Sequence, residues 1–244
     1  MTTVVLLLAA GAGRRLGWAI PKAFVPLGGR LMVAYSLSSI ARAGVADGVV
    51  LVAPESECPR IQTLLPELEG GSIVETVVAG GITRQESVRR GLESTGTEAS
   101  LVVCHDAARP FASPELFRRV VDAVANAEGA IPVLPATDTV KRVRDEIVIE
   151  TIPREEIFLT QTPQAFVASA LRGAHDRAVT EGLRATDDAM LLEHAGFRVK
   201  VVPGEASNLK ITSPEDLARA EELLASQRAA GTNRGRPGEA VGGD

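Results

Sequence analysis

Lysine is scarce in this chain: it stands only at Lys22, Lys141, Lys200 and Lys210. Two of these sit where a polyanion could be held. Lys22 follows a glycine turn, AAGAGRRL at residues 9–16, in which Arg14 and Arg15 add two adjacent cations. At Ala10, Gly11, Ala12 and Gly13 the backbone can come close to a ligand, and the N–H groups of such a turn can cradle a phosphate. Lys210 lies in ASNLKITSPEDL, residues 206–217. A carboxylate, Asp106, follows an apolar run in VVCHDAARPF, residues 102–111. There it could bear on Mg2+ or on a nucleotide, since Mg2+ commonly takes one or two carboxylates together with substrate phosphates. This combination suits phosphoryl chemistry, in which positioning and charge neutralisation are the main tasks. Each feature alone has a plainer reading. A glycine turn is as often structural, and a lone surface lysine is usually solvated. Ser87 and the run Thr186-Asp187-Asp188 have the residue types of helix caps.

Several other chemistries fail on spacing. A dinucleotide fingerprint would need glycine at position 16, which is Leu16, and no acidic residue closes the second strand to meet a ribose. A P-loop would need Gly-Lys-Ser/Thr, which does not follow the turn. Cys58 and Cys104 lack metal-ligand spacing and read as small buried residues, in keeping with a reducing, cytoplasmic setting. A formal net charge of -5 argues against a general nucleic-acid binder. The apolar run at 4–10 is too short to span a bilayer, and the first three residues carry no basic leader segment. Neither nucleic acid nor membrane is an expected partner.

These residues need a scaffold. Hydrophobic residues make up 45% of the chain and aromatics 3%, so the core must be built from Val, Leu, Ile and Ala. Apolar runs at 4–10, 47–53, 72–78, 100–104 and 130–135 read as strands. They alternate with helical stretches at 31–43, 58–68, 87–92 and 114–128. Ser113-Pro114-Glu115 is a strong helix start: an N-cap, a proline in the first turn, and an acid to oppose the dipole. This alternation predicts an α/β fold with a mostly parallel sheet covered on both faces. Ligands in such folds bind beyond the carboxyl ends of the strands. Further helices are expected at 163–181, 186–195 and 214–227, and a strand at 197–202. Residues 136–160 break the rhythm and read as a hairpin arm around Arg144-Asp145-Glu146. Its Val140, Val143, Ile147 and Ile149 would most easily find cover on a second subunit. The expected organisation is one domain over 1–227, with a dimerisation arm at about 136–160. A glycine-rich, disordered tail is expected at 228–244.

Seven motifs occur in order: AAGAGRRL with PKAF, AGGITRQESVRRGL (79–92), VVCHDAARPF, PATDTVKR (135–142), TPQAF (162–166), ATDDAMLLE (185–193) and ASNLKITSPEDL. The set resembles the 2-C-methyl-D-erythritol 4-phosphate cytidylyltransferase family of the non-mevalonate isoprenoid pathway, over about residues 4–225. The resemblance implies a Rossmann-like nucleotidyltransferase fold with a protruding β-hairpin arm. It implies transfer of CMP from CTP to a polyol phosphate, release of pyrophosphate, and Mg2+ as cofactor. Arg15, Lys22 and Lys210 are then catalytic, the first two on the triphosphate and the departing pyrophosphate, the third near the α-phosphate. Nucleotide contacts are implied for Ala10, Gly11, Ala12, Gly13, Gly80, Gly81, Ser87, Asp106 and Ala107. Asp106 is also the residue implied near the metal, with Asn208 a weaker second. Acceptor contacts are implied for Arg109, Thr139, Arg154, Thr186 and Asp187. Thr139 and Arg154 would reach the neighbouring subunit's site in a homodimer. His105, His175 and His194 read as structural. Leu16 and Ala23-Phe24 depart from the family's usual residues, and both look like packing changes.

Two other readings stay open. A ribitol 5-phosphate cytidylyltransferase would share the CTP motifs and differ in the arm and in residues 186–190. A non-catalytic CTP-binding module would have less need of Arg15, Lys22, Asp106 and Lys210 together.

Overall fold

A computed structural model of the chain describes residues 1–11 and 20–233. Ala12, Gly13, Arg14 and Arg15 therefore lie outside the described residues, as do residues 234–244. The chain opens with β1 (Thr2–Leu8), then a small ribbon, β2 (Pro26–Leu27) and β3 (Arg30–Leu31), leading into α1 (Met32–Ala43). Next come β4 (Gly48–Ala53), α2 (Cys58–Leu64), β5 (Val74–Ala79), α3 (Arg84–Ser94), β6 (Ala99–Asp106), α4 (Pro114–Ala123) and β7 (Gly129–Pro135). A hairpin, β8 (Val140–Arg144) and β9 (Ile147–Ile152), follows, and then two short strands, β10 (Phe158–Thr160) and β11 (Gln164–Val167). The chain continues through α5 (Ala168–Glu181), α6 (Asp188–His194), β12 (Val199–Pro203) and α7 (Pro214–Asn233).

The main sheet runs β5-β4-β1-β6-β11-β7, with β10 beside the far end of β7 and β12 on the other flank of β7. The pairs β1–β4, β1–β6, β4–β5 and β7–β12 are parallel. β11 is antiparallel to both β6 and β7, and β10 is antiparallel to β7. The expected mostly parallel sheet is thus present, with two antiparallel pieces that the hydrophobic pattern did not announce. Residues 164–167 were expected to open the helix at 163–181 and instead form β11; that helix starts at Ala168. The run QAFV is too short for its period to decide between strand and helix. Its place is set by tertiary pairing: Phe166 fills the space over Gly129, where any Cβ would collide with its ring.

The central strands β1, β4, β6 and β7 are buried on both faces, so they are continuous apolar runs. Val5, Leu7, Val49, Leu51 and Val103 face α1 and α4, packing on Leu37, Ile40, Leu116 and Phe117. Leu6, Val50, Val52 and Val102 face α3, α5 and α6, packing on Val88, Leu92, Leu171 and Leu192. α3 lies close to the sheet because it carries Gly91, where a Cβ would stand 3.1 Å from Val52 and 3.2 Å from Leu6. A third, smaller cluster joins Val25, Leu27 and Met32 to Ile211, Ala220 and Leu224 of the last segment.

The hairpin β8–β9 makes its own two-stranded sheet, with Val143, Ile147, Val148 and Ile149 more than half exposed. The final helix goes past the expected end at 227 and reaches Asn233, while Arg228 donates to the Gly28 carbonyl at 2.9 Å. The first part of the expected disordered tail, 228–233, is therefore helical. No helix among the described residues is long and apolar enough to cross a membrane.

Candidate active site

β1 has β4 on one side and β6 on the other, so the order of connection reverses between β1 and β6. Parallel sheets bind ligands in the crevice beyond such a switch point, and a cavity of about 560 Å³ opens there. Residues 8–11 line it after β1, with Lys22 and Ala23 beside them. Residues 81–84 and Ser87 form a second wall at the start of α3. Asp106 and Ala108 close it after β6, and Lys210 and Thr212 enter from the last segment.

Each wall is fixed locally. Lys22 opens a short 3-10 turn after Pro21; the next two residues, Ala23 and Phe24, are buried, and its N–H points to the Gly11 carbonyl. Gly80 admits Ala10: a Cβ at position 80 would overlap that of Ala10 and crowd the Ser87 hydroxyl. The loop that follows is braced by side chains. The Gly81 N–H donates to Ser87 Oγ at 3.0 Å, the Ile82 N–H to Glu86 Oε2 at 2.8 Å, and Arg90 Nη1 to the Gly80 carbonyl at 2.9 Å. Ser87 thus serves the loop rather than the helix cap, which is Thr83 accepting from the Glu86 N–H. Lys210 is carried by the buried Ile211, whose N–H donates to the Ala108 carbonyl at 2.8 Å.

A line of alternating charge runs from the cleft into the protein. Lys210 Nζ meets Asp106 Oδ2 at 2.6 Å. Arg84 Nε meets Asp106 Oδ1 at 3.1 Å, and its Nη1 meets Asp188 Oδ2 at 2.7 Å. His175 Nε2 stands 3.4 Å from Asp188 Oδ1. Burial works against charge on Asp106, but Arg84 and Lys210 beside it hold its carboxyl well below the usual carboxylate range. Asp188 is likewise ionised: burial opposes it, and Arg84, then His175, outweigh that. The two acids in turn hold Arg84 firmly charged in spite of its own burial.

His105, next to Asp106, is structural, as its sequence setting suggested. Thr162 Oγ1 accepts from the Asp106 N–H at 3.0 Å and pairs with His105 Nδ1 at 3.1 Å. His105 Nε2 faces Ser36 Oγ at 3.5 Å. Burial pushes its pKa down to about 4.

Not every residue singled out in the sequence lines this cavity. Ala10, Gly11, Lys22, Gly81, Ser87, Asp106 and Lys210 do. Gly80 and Ala107 stand just behind, Ala107 fully buried with its N–H on the Leu8 carbonyl. Arg109 braces instead, donating to the Asn208 and Thr160 carbonyls. Asn208 is fully buried, its amide on the Thr162 carbonyl. Asp187 caps α6 through the Met190 N–H and accepts from Gln164 Nε2, with Thr186 preceding it. Thr139 and Arg154 flank the hairpin, where Arg154 Nη1 donates to the Thr137 carbonyl at 2.8 Å.

Sequence reasoning passed over Arg84 and Asp188. A signal for Arg84 existed: a cation at the first position of a helix opposes the macrodipole, so its presence there asks for an acidic partner elsewhere. For Asp188 the signal was hidden, because an acid in a first helical turn needs no further explanation.

Comparison with known proteins agrees with this geometry. The family model described as 2-C-methyl-D-erythritol 4-phosphate cytidylyltransferase matches residues 3–226. A relative of that name from Geobacter metallireducens is 40% identical over 227 residues, covering 92% of this chain and 98% of its own. The crystal structure of the 4-diphosphocytidyl-2C-methyl-D-erythritol synthase from Anaerococcus prevotii is similar with a TM-score of 0.81 at 31% identity, over 92% of this chain and 98% of that one. The 2-C-methyl-D-erythritol 4-phosphate cytidylyltransferase from Thermus thermophilus gives 0.76 at 38% identity, over 92% and 100%. The chain, with its switch-point cleft and paired cations, belongs to the 2-C-methyl-D-erythritol 4-phosphate cytidylyltransferase family of nucleotidyltransferases.

Proposed function

We propose that this cleft transfers CMP from CTP to 2-C-methyl-D-erythritol 4-phosphate, giving 4-diphosphocytidyl-2-C-methyl-D-erythritol and pyrophosphate. The observation that carries the reading is the meeting of Lys22, Lys210 and Asp106 with the bare backbone of residues 9–11 in one cavity. In the reaction an oxygen of the acceptor's phosphate attacks the α-phosphorus of CTP. A new P–O bond forms, the bond to the bridging oxygen toward the β-phosphate breaks, and pyrophosphate leaves with that electron pair. No proton has to be taken from the nucleophile, which is already an anion. The work left to the protein is to bring polyanions together and to neutralise charge as it shifts.

Lys22 would meet the triphosphate and the departing pyrophosphate, and Arg15, outside the described residues, would join it. Lys210 would meet the α-phosphate and the attacking phosphate. The braced loop at Gly80–Ile82 would read cytosine through its backbone, with Ser87 holding its shape. The donor set fits a Mg2+ ion held mainly by the nucleotide. Asp106 is a single carboxylate at the cleft, and no group of three metal-ligating side chains occurs among the described residues; Mg2+ is usual in such settings. Asp106 would hold the ion, which would supply charge neutralisation on the triphosphate.

The exposed apolar side chains of β8 and β9 support a homodimer through the hairpin, with Thr139 and Arg154 serving the acceptor phosphate in the neighbouring site. Arg109, Thr186 and Asp187 would act on the acceptor through the segments they brace. The free thiols Cys58 and Cys104 accord with a cytoplasmic setting.

The test is pyrophosphate release with Mg2+, offering CTP, ATP, GTP or UTP with methylerythritol phosphate or with ribitol 5-phosphate. Release only from CTP with methylerythritol phosphate is expected. Release with ribitol phosphate alone would change the acceptor. CTP binding by folded protein without any release would turn the cleft into a binding module.

A further inference from the structure

The acid that faces the cleft is gripped by Arg84, a residue of the cleft's second wall that the reaction itself has not used. We infer that Arg84 is a positioning residue: fixed by Asp188, it locks the Asp106 carboxylate so that Oδ2, and Lys210 with it, face the reacting phosphates. The inference rests on the cytidylyl-transfer reading of the same cleft.

The geometry carries it. The guanidinium is a rigid planar fork, and two of its arms are used on two different acids: Nε on Asp106 Oδ1 and Nη1 on Asp188 Oδ2. The side chains of Asp106 and Asp188 are 11% and 1% exposed. Buried charges of this kind must stay paired, because an orphaned one is strongly destabilising. Asp188 sits in the first turn of α6, whose cap Asp187 is tied to Gln164 of β11, and its other oxygen lies 3.4 Å from His175 Nε2. The Asp106 backbone is pinned by Thr162. What remains free at Asp106 is rotation of its carboxylate, and the bond from Arg84 removes it.

Lys210 is a long, flexible side chain, 41% exposed, whose partner is that carboxylate. Its reach into the cleft therefore follows the angle that Arg84 sets. Arg84 also keeps Asp106 paired when the Lys210 ammonium turns to a phosphate, so that turn does not strand a buried anion. Lysine at position 84 would supply a point charge able to satisfy one acid but not the fork that satisfies both.

The experiment combines kinetics with crystallography on Arg84→Lys, Asp106→Asn, their double variant, and Asp188→Asn. Arg84→Lys is expected to lower kcat by about 100-fold, the scale of a misplacement near 1 Å, with a much smaller change in KM for CTP. In the Asp106→Asn background the same substitution should add little, since groups acting as one unit are non-additive. Losses that multiply independently would overturn the inference. Crystal structures of Arg84→Lys and Asp188→Asn should show the Asp106 carboxylate turned and Lys210 out of hydrogen-bond range. An unchanged Asp106–Lys210 pair in both would overturn it as well. Should Arg84→Lys fail to fold, Asp188→Asn decides, because it keeps the shape of the side chain. The crystallographic arm needs no substrate. Wild-type protein that releases no pyrophosphate would sink the transfer reading and leave the positioning role to be judged by that arm.

Discussion

Lys210 donates to Asp106, and the same ammonium is the one proposed to meet the α-phosphate. Lys210→Ala should lower kcat by about 100-fold or more, the cost of removing one transition-state stabiliser, with the thermal midpoint close to wild type. A near-normal rate in the steady-state assay would remove Lys210 from the mechanism. His105 sets a different dependence. An unfolded histidine takes a proton near pH 6.5, whereas burial delays this one to about 4. Its folded pKa is depressed, so its contribution is complete above pH 6.5 and is lost as pH falls toward 4. The loss amounts to about 3 kcal/mol by linkage. Urea unfolding from pH 7 to 4 should show that decline in wild type and a flatter profile in His105→Gln. The ionised Asp106 and Asp188 lose their contribution only at lower pH, below the ordinary carboxylate range. At this scale the sequence was legible in singling out Lys22, Lys210 and Asp106, which the fold brings to one cavity. Arg84 escaped because its task is to hold another side chain, and both of its partners lie far away in the chain.

The hairpin β8–β9 was legible from a broken rhythm and from apolar residues with nothing of their own to cover them. Cross-strand pairs keep it extended: Arg142 with Glu150 at 3.0 Å and Lys141 with Thr151 at 2.6 Å. If two copies complete each other's sites through this arm, mixing inactive Arg154→Ala with inactive Lys22→Ala protein should restore part of the activity. Re-formed heterodimers would contain one site with both residues intact. No recovery after verified subunit exchange would count against shared sites. β10 and β11 were not legible, because three or four residues hold too little pattern to fix a period. Their conformation comes from the vacant flank of β7 and the antiparallel slot between β6 and β7, neither of which exists until the sheet does.

Across the molecule, the parallel core could be read from its continuous apolar strands, and the cleft from the rule that places ligands at a switch point. Less visible was the distance between layers. Gly91 sets how near α3 lies to β1 and β4, and Arg84 rides on the same helix. Gly91→Ala should cost about 1–3 kcal/mol through overpacking. It should also lower kcat by more than the loss of folded protein explains, because the helix carries Arg84 outward. Activity per folded molecule, measured well below the melting temperature, checks this; an unchanged value would separate the helix position from the chemistry.

The charged line through the cleft draws on positions 84, 106, 188 and 210, and Lys22 lines the same cavity from near the start of the chain. No stretch of the polypeptide owns the site. A nascent chain on the ribosome has its sheet largely synthesised before Lys210 emerges, so with Lys210 acting as proposed it would stay inert until the last helix docks. During refolding, enzymatic activity should return only with the final closure of the chain, and never with an early intermediate. On the proposed roles of Lys22 and Lys210, catalysis would report that the two ends of the molecule have met.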